Sequence, residues 1–92
     1  MQSNKFIINI LSGLHLRPVG VLCQCATEFK STITLKSGDS TANGKSVLSV
    51  LAACIKYKDE IELICDGEDE QEAMEALSDL ILKGLGDDLI KK

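Results

Sequence analysis

The sequence predicts an α+β fold in which helices cover one face of a β-sheet. Some segments alternate apolar and polar residues, which is typical of half-buried strands, and others repeat apolar residues at helical spacing. The two kinds follow one another in the order β-α-β-β-α-β-α. Strands with one apolar and one polar face favour an antiparallel or mixed sheet, with all helices on the apolar side. A chain of 92 residues suffices for one domain and not for two, so residues 1–92 are expected to form a single domain.

Four segments are predicted strands because apolar residues occupy every second position. They cover residues 5–10, 31–36, 40–43 and 60–66. The residues expected to face the core are Phe6, Ile8, Ile10, Ile33, Leu35, Ile61, Leu63 and Cys65. Gly, Ser, Asp and Asn between these segments indicate turns.

Three helices are predicted, over residues 16–29, 47–53 and 69–84. Pro18 suits a first helical turn, and Ser46 suits the N-cap of the second helix. Asp69 and Glu72 have the spacing of a capping box for the third helix, and Lys83-Gly84 is a typical helix end. The tail from Asp87 to Lys92 is expected to fray.

The charge and composition exclude several classes of function. The net charge of −4 argues against a nucleic-acid binder, which needs clustered Lys and Arg. There is no polybasic membrane anchor, secretory signal or apolar run of about 20 residues, so a cytoplasmic protein is expected. The four cysteines are expected to be reduced, with Cys54 and Cys65 in apolar surroundings. Cys23 and Cys25 lie two apart on a helix and cannot share a metal, and no metal site is predicted.

The segment Gly-Leu-His-Leu-Arg-Pro at residues 13–18 is the strongest candidate for chemistry. His15 is the only histidine, and it lies just before a predicted helix. A helix N-terminus attracts anions, and the Arg17 guanidinium matches phosphate oxygens. A neutral imidazole nitrogen is both a nucleophile toward phosphorus and a leaving group. From this chemistry alone two interpretations stay open: a histidine that holds a phosphoryl group, and a loop histidine that caps a helix while Arg17 forms a surface ion pair.

The same segment resembles the active-site signature of the HPr family, the histidine-containing phosphocarriers of the bacterial sugar phosphotransferase system. Residues 43–47, Asn-Gly-Lys-Ser-Val, resemble the second signature of that family, and the similarity extends over about residues 5 to 85. The resemblance implies an open-faced β-sandwich with a four-stranded antiparallel sheet and three helices on one face. It also implies that enzyme I phosphorylates His15, that Arg17 assists, and that IIA components receive the phosphoryl group. Such a protein is a carrier without a cofactor rather than an autonomous enzyme.

The short second helix is the candidate partner surface. Val47, Val50 and Cys54 form one apolar stripe, and a second stripe consists of Leu48, Leu51 and Ile55. The core needs only one stripe, so the other is expected to be partly exposed; the alternative is that loops bury both. By resemblance, the docking face consists of Leu16, Gly20, Val47, Leu48 and Leu51.

Ser46 has two interpretations. It is an ordinary helix-capping serine, or, by resemblance, a regulatory serine that HPr kinase/phosphorylase modifies. The sequence also departs from the family pattern: Leu16 replaces the usual Ala, Gly20 lies inside a helix, and residues 55–59 lack the usual glycines.

These departures keep two alternatives open. One is a regulatory module that acts through Ser46 and a transcriptional regulator, with little phosphotransfer. The other is an interaction domain that is never phosphorylated. Asp59, Glu60 and Glu62 are interpreted as solvated, and a monomer is expected.

Overall fold

The chain forms a four-stranded sheet and three helices in the predicted order. A computed structural model describes residues 1–10 and 13–85. The elements are β1 Gln2–Ile7, α1 Leu16–Ala26, β2 Thr32–Ser37, β3 Ser40–Asn43, α2 Val47–Ala52, β4 Glu60–Asp66 and α3 Glu70–Leu82. All strand pairs are antiparallel, in the order β1-β4-β2-β3. The predicted α+β open-faced sandwich is confirmed.

One face of the sheet and the inner faces of the helices form the core. Leu35 on β2 lies opposite Leu63 on β4, and both are buried. Val19 and Leu22 on α1 and Leu77 on α3 are also buried against this layer. Complete burial of one large aliphatic side chain contributes about 1.5–3 kcal/mol, so an aliphatic core suffices for a chain with few aromatic residues.

The first strand lies earlier in the chain than predicted. Pairing with β4 runs from Gln2 opposite Cys65 to Ile7 opposite Glu60, so the predicted bounds of 5–10 are wrong at both ends. Phe6, Ile8 and Ile10 are buried as expected. Residues 2–5 are polar and show no alternation of apolar and polar side chains. Their side chains are exposed, and they form a strand because their backbone pairs with β4 at the edge of the sheet.

The helix ends are set by local geometry. α1 ends at Ala26 instead of residue 29, where Phe29 N–H bonds the Ala26 carbonyl in a tighter turn. α3 ends in a Schellman motif: Gly84 has φ +91°, and Leu85 N–H bonds the Leu80 carbonyl at 2.9 Å. Within residues 1–10 and 13–85, no helix is long and apolar enough to cross a membrane. Ser12 and the tail from Asp87 to Lys92 lie outside the described residues.

The predicted capping box at the start of α3 is wrong. Asp69 is the N-cap residue, but its side chain makes no capping bond. Its carboxylate accepts hydrogen bonds from the loop between α1 and β2, as described below. Glu70, two residues before the predicted Glu72, instead accepts the N–H of Gly67 at 3.1 Å.

The four cysteines are free thiols that differ in burial, and Cys25 is half-buried. Cys23 and Cys65 are buried, and burial, reinforced by the Glu70 and Asp69 carboxylates, raises the pKa of Cys65 to about 11. Such a thiol is inert at neutral pH. Cys54 contradicts the expected apolar surroundings: it is exposed, because the chain leaves α2 at Ala52. In the described part of the chain, no group of three or more potential metal ligands is placed to hold an ion.

Candidate functional site

His15 is exposed at the start of α1. It occupies the N-cap position, and its carbonyl accepts the Val19 N–H at 3.0 Å. The imidazole makes no capping hydrogen bond to the helix. The interpretation that this ring serves to cap α1 is therefore wrong, and the exposed ring is placed where another protein can reach it.

Buried neighbours fix the backbone on both sides of His15. Leu14 and Pro18 are buried, whereas His15, Leu16 and Arg17 are exposed. The exposed residues thus project from a segment that the core holds at both ends. A fixed backbone lowers the entropy that must be lost when a reacting group is aligned.

Gly13, two residues before His15, packs against the loop that follows α2. Gly13 has φ +73°, and its N–H bonds the Ile10 carbonyl at 2.8 Å. A Cβ atom at Gly13 would lie 3.0 Å from the Ile55 oxygen and 3.1 Å from the Lys56 Cα, so a side chain there would strain the backbone and displace these atoms by a few tenths of an ångström. The Leu14 N–H bonds the same Ile55 oxygen at 3.0 Å. The His15 segment and the loop are therefore in direct backbone contact.

Asp59 holds this loop in shape. Its Oδ2 accepts the Lys56 N–H at 2.8 Å, and its own N–H bonds the Lys56 carbonyl at 3.0 Å. The interpretation of Asp59 as a solvated side chain is incomplete, because the half-buried carboxylate also accepts this backbone N–H. Sequence reasoning missed it, although an Asp that closes a turn onto a backbone N–H is a known pattern in loops.

Two residues of the loop have a left-handed backbone without being glycine. Cys54 has φ +55° and Lys58 has φ +73°. Residues 55–59 contain no glycine, so a lysine occupies a left-handed position that glycine would adopt without strain.

An exposed imidazole at a helix start is chemically suited to reversible phosphoryl transfer. The N-terminal end of a helix has backbone N–H groups and a partial positive charge that stabilise an anion by about 0.3–1 kcal/mol at an exposed position. Arg17 lies in the first turn of α1. A modest stabilisation suits a carrier, because strong binding would prevent release of the group.

The predicted docking residues lie on adjacent helices but differ in exposure. α1 packs beside α2. Leu16 is 65% exposed and Leu48 is 80% exposed, which is unusual for leucine. The half-buried members of the set are Gly20, Val47 and Leu51.

The two predicted stripes of α2 are wrong in detail. The helix ends at Ala52, so Cys54 and Ile55 follow it instead of continuing its faces. Cys54 is exposed and Ile55 is buried, so each predicted stripe contains both a buried and an exposed residue.

Ser46 caps α2 as predicted. Its Oγ accepts the Ser49 N–H at 3.2 Å, and the Ser49 Oγ accepts the Asn43 N–H at 2.9 Å. Ser46 is half-buried. This arrangement fits the capping interpretation and leaves the regulatory one to experiment.

Comparison with known proteins agrees with the resemblance. Residues 2–83 match the family model described as the PTS HPr component phosphorylation site. The chain is 45% identical to the phosphocarrier protein HPr of Neisseria meningitidis over 75 residues, 82% of this chain and 83% of that protein. HPr-C-His from Thermoanaerobacter tengcongensis has a similar structure, with a TM-score of 0.91 and 31% identity over 97% of this chain and 100% of the other.

A related regulatory protein is also similar. Crh, a catabolite repression protein of Bacillus subtilis, matches with a TM-score of 0.72 and 28% identity over 99% of this chain and 100% of the other. That structure is described as a dimer with a swapped domain. The fold is therefore shared by carriers and by a protein of catabolite repression.

Proposed function

Because the chain belongs to the HPr family of phosphocarriers of the phosphotransferase system, we propose that it holds the phosphoryl group on His15. It accepts this group from phosphorylated enzyme I and passes it to IIA components. The observation that supports the assignment is the exposed imidazole at the start of α1, on a backbone fixed by buried neighbours and unused for capping. It is the only imidazole in the sequence.

The transfer needs two displacements at phosphorus. In the first, a neutral imidazole nitrogen of His15 attacks the phosphoryl group, and the bond between phosphorus and the donor breaks. In the second, the nucleophile of the acceptor attacks, and the nitrogen–phosphorus bond of His15 breaks. Arg17 and the start of α1 offset the negative charge on the phosphoryl oxygens.

Partner proteins dock on the surface around Leu16 and Leu48. These two exposed leucines offer apolar area beside the exposed His15, and the half-buried Gly20, Val47 and Leu51 complete the surface. A docking face of this kind aligns two phosphoryl sites without a deep pocket. We place this exchange in the cytoplasm and expect the chain to act as a monomer, which light scattering on the purified protein will test against the swapped dimer of Crh.

Ser46 offers a second level of control. A phosphate there adds about two negative charges at the start of α2, next to the docking face. It also replaces the hydroxyl that caps the helix. Modification by HPr kinase/phosphorylase would therefore weaken the binding of acidic partners by charge repulsion, and the binding of apolar partners because the phosphate would have to be desolvated.

The similarity to Crh supports an alternative function. In it the chain is a regulatory module that acts through phosphorylated Ser46 and a transcriptional regulator, with little flux through His15. The two functions differ in one measurable property, which is the rate of phosphorylation by enzyme I.

The test is incubation with phosphoenolpyruvate and enzyme I, followed by intact-mass measurement at neutral and acidic pH. The carrier function predicts one added phosphoryl group that acid removes, present in Ser46→Ala and absent from a folded His15→Ala variant. Arg17→Ala is expected to gain the group more slowly. A folded wild-type protein that gains no group, or gains one that survives acid, would favour the regulatory alternative.

A further inference from the structure

We propose that Asp59 is a positioning residue for phosphoryl transfer at His15, because its carboxylate fixes the loop that supports the His15 backbone. This inference rests on the proposed function of His15. Asp59 does not need to touch the phosphoryl group, since it acts through the backbone of residues 55 and 56.

The first step of the argument is the contact between loop and site. The Ile55 oxygen accepts the Leu14 N–H at 3.0 Å, one residue before His15. Gly13 packs so closely against Ile55 and Lys56 that a Cβ there would lie 3.0 Å from the Ile55 oxygen. A displacement of this part of the loop therefore moves the start of α1.

The second step is the shape of the loop itself. Lys58 has φ +73°, a conformation that a side chain disfavours, so surrounding contacts must hold it. The backbone contacts are a two-way bridge with Ile8: the Lys58 N–H bonds the Ile8 oxygen at 2.8 Å, and the Ile8 N–H bonds the Asp59 oxygen at 2.9 Å. This bridge fixes the far end of the loop.

The third step is the end of the loop nearest His15. The described contact that ties the Lys56 N–H to the bridge is the Asp59 carboxylate, at 2.8 Å. Without that acceptor the bond from the Asp59 N–H to the Lys56 carbonyl remains, but the Lys56 N–H loses its partner, so the adjoining Ile55 carbonyl is held less tightly while the sheet and the bridge stay intact. We expect the result to be looser placement of Leu14 and His15 in a folded protein.

Asp59→Ala and Asp59→Asn separate this role from general stability. Asn keeps a side-chain oxygen that can accept the Lys56 N–H, whereas Ala does not. Asp39→Ala, in the exposed turn between β2 and β3, controls for the loss of one negative charge. Phosphorylation by enzyme I and hydrogen exchange of the Leu14 amide are measured on all three variants and the wild type.

The proposal predicts that Asp59→Ala transfers about three- to tenfold more slowly and exchanges the Leu14 amide faster. Asp59→Asn and Asp39→Ala should match the wild type in both. The proposal is overturned if Asp59→Ala is phosphorylated at the wild-type rate. It is also overturned if Asp59→Asn is phosphorylated as slowly as Asp59→Ala. If the wild type itself gains no phosphoryl group, the proposed function fails. Leu14 exchange then still decides the structural role, and unchanged exchange in Asp59→Ala overturns it.

Discussion

The carboxylate of Asp69 accepts hydrogen bonds from both the backbone N–H and the hydroxyl of Ser31, the former at 2.9 Å. Its other oxygen accepts the Lys30 N–H at 2.8 Å. Ser31 is buried, and 38 residues separate it from Asp69 in sequence. One half-buried carboxylate thus joins the start of β2 to the start of α3.

This contact predicts a pH dependence of stability. The Ser31 hydroxyl and the Lys30 N–H lower the pKa of Asp69 below its ordinary value. A lowered pKa in the folded state means that the ionised form stabilises the fold. The contribution is complete above the ordinary aspartate pKa of about 4 and is lost as pH falls through the lowered value.

Urea denaturation between pH 2 and 7, in steps, measures this contribution. Asp69→Asn should have a lower free energy of unfolding than the wild type at pH 7, and the difference should shrink as pH falls. Asp39→Asn controls for the loss of one charge in an exposed turn. A difference that is independent of pH would contradict the assignment.

Cys54→Gly should stabilise the protein. Cys54 has φ +55°, which costs a residue with a side chain about 1–2 kcal/mol, whereas glycine adds about 0.5–1 kcal/mol of unfolded-state entropy. The free energy of unfolding should therefore rise by about 0.5–1 kcal/mol. Cys54→Val, which is β-branched, should lower it. Urea denaturation under reducing conditions measures both, and a destabilised glycine variant would show that the thiol makes an important contact.

Gly20→Ala should also stabilise the protein. A Cβ at Gly20 would meet no heavy atom within 4 Å, and alanine favours a helix interior over glycine by about 1 kcal/mol. Gly44→Ala is the contrast, because its Cβ would lie 2.5 Å from the Ile33 Cγ2 atom. That variant should lose about 1–3 kcal/mol. Equal effects in urea denaturation would refute this difference in packing.

Leu48→Ala should impair docking without affecting the fold. Leu48 is 80% exposed, so its truncation removes little buried area, while a central apolar residue of an interface is often worth more than 1 kcal/mol. We expect the KM for phosphorylation by enzyme I to rise about tenfold, with kcat nearly unchanged. Leu82→Ala, on α3 and 62% exposed, should leave both constants unchanged. Equal effects of the two substitutions would place docking elsewhere.

Much of the fold could be predicted because its elements have strong local patterns. The alternation of Ile61, Leu63 and Cys65 and the capping by Ser46 are both found in the structure. The start of β1 could not be predicted, since exposed polar residues there form a strand only by pairing with β4. The local sequence at the chain start does not indicate that it pairs with β4.

The site was predicted in part for the same reason. His15 stood out as a single histidine at a helix start, and its motif lies within six residues. The contacts that hold it come from residues 55–59, about 40 positions away, and depend on a backbone carbonyl that any residue has. In the sequence, Asp59 and Asp69 resemble ordinary surface acids. Only the tertiary structure shows which N–H groups donate hydrogen bonds to their carboxylates.

The most direct test of the central claim is phosphorus NMR of protein labelled with ¹⁵N-histidine and phosphorylated by enzyme I and phosphoenolpyruvate. Because His15 is the only histidine, coupling between ³¹P and ¹⁵N identifies the bond that holds the phosphoryl group. We predict one phosphorus signal split by ¹⁵N and abolished in His15→Ala. A phosphoryl signal without this coupling, or no signal from folded wild-type protein, would contradict the account.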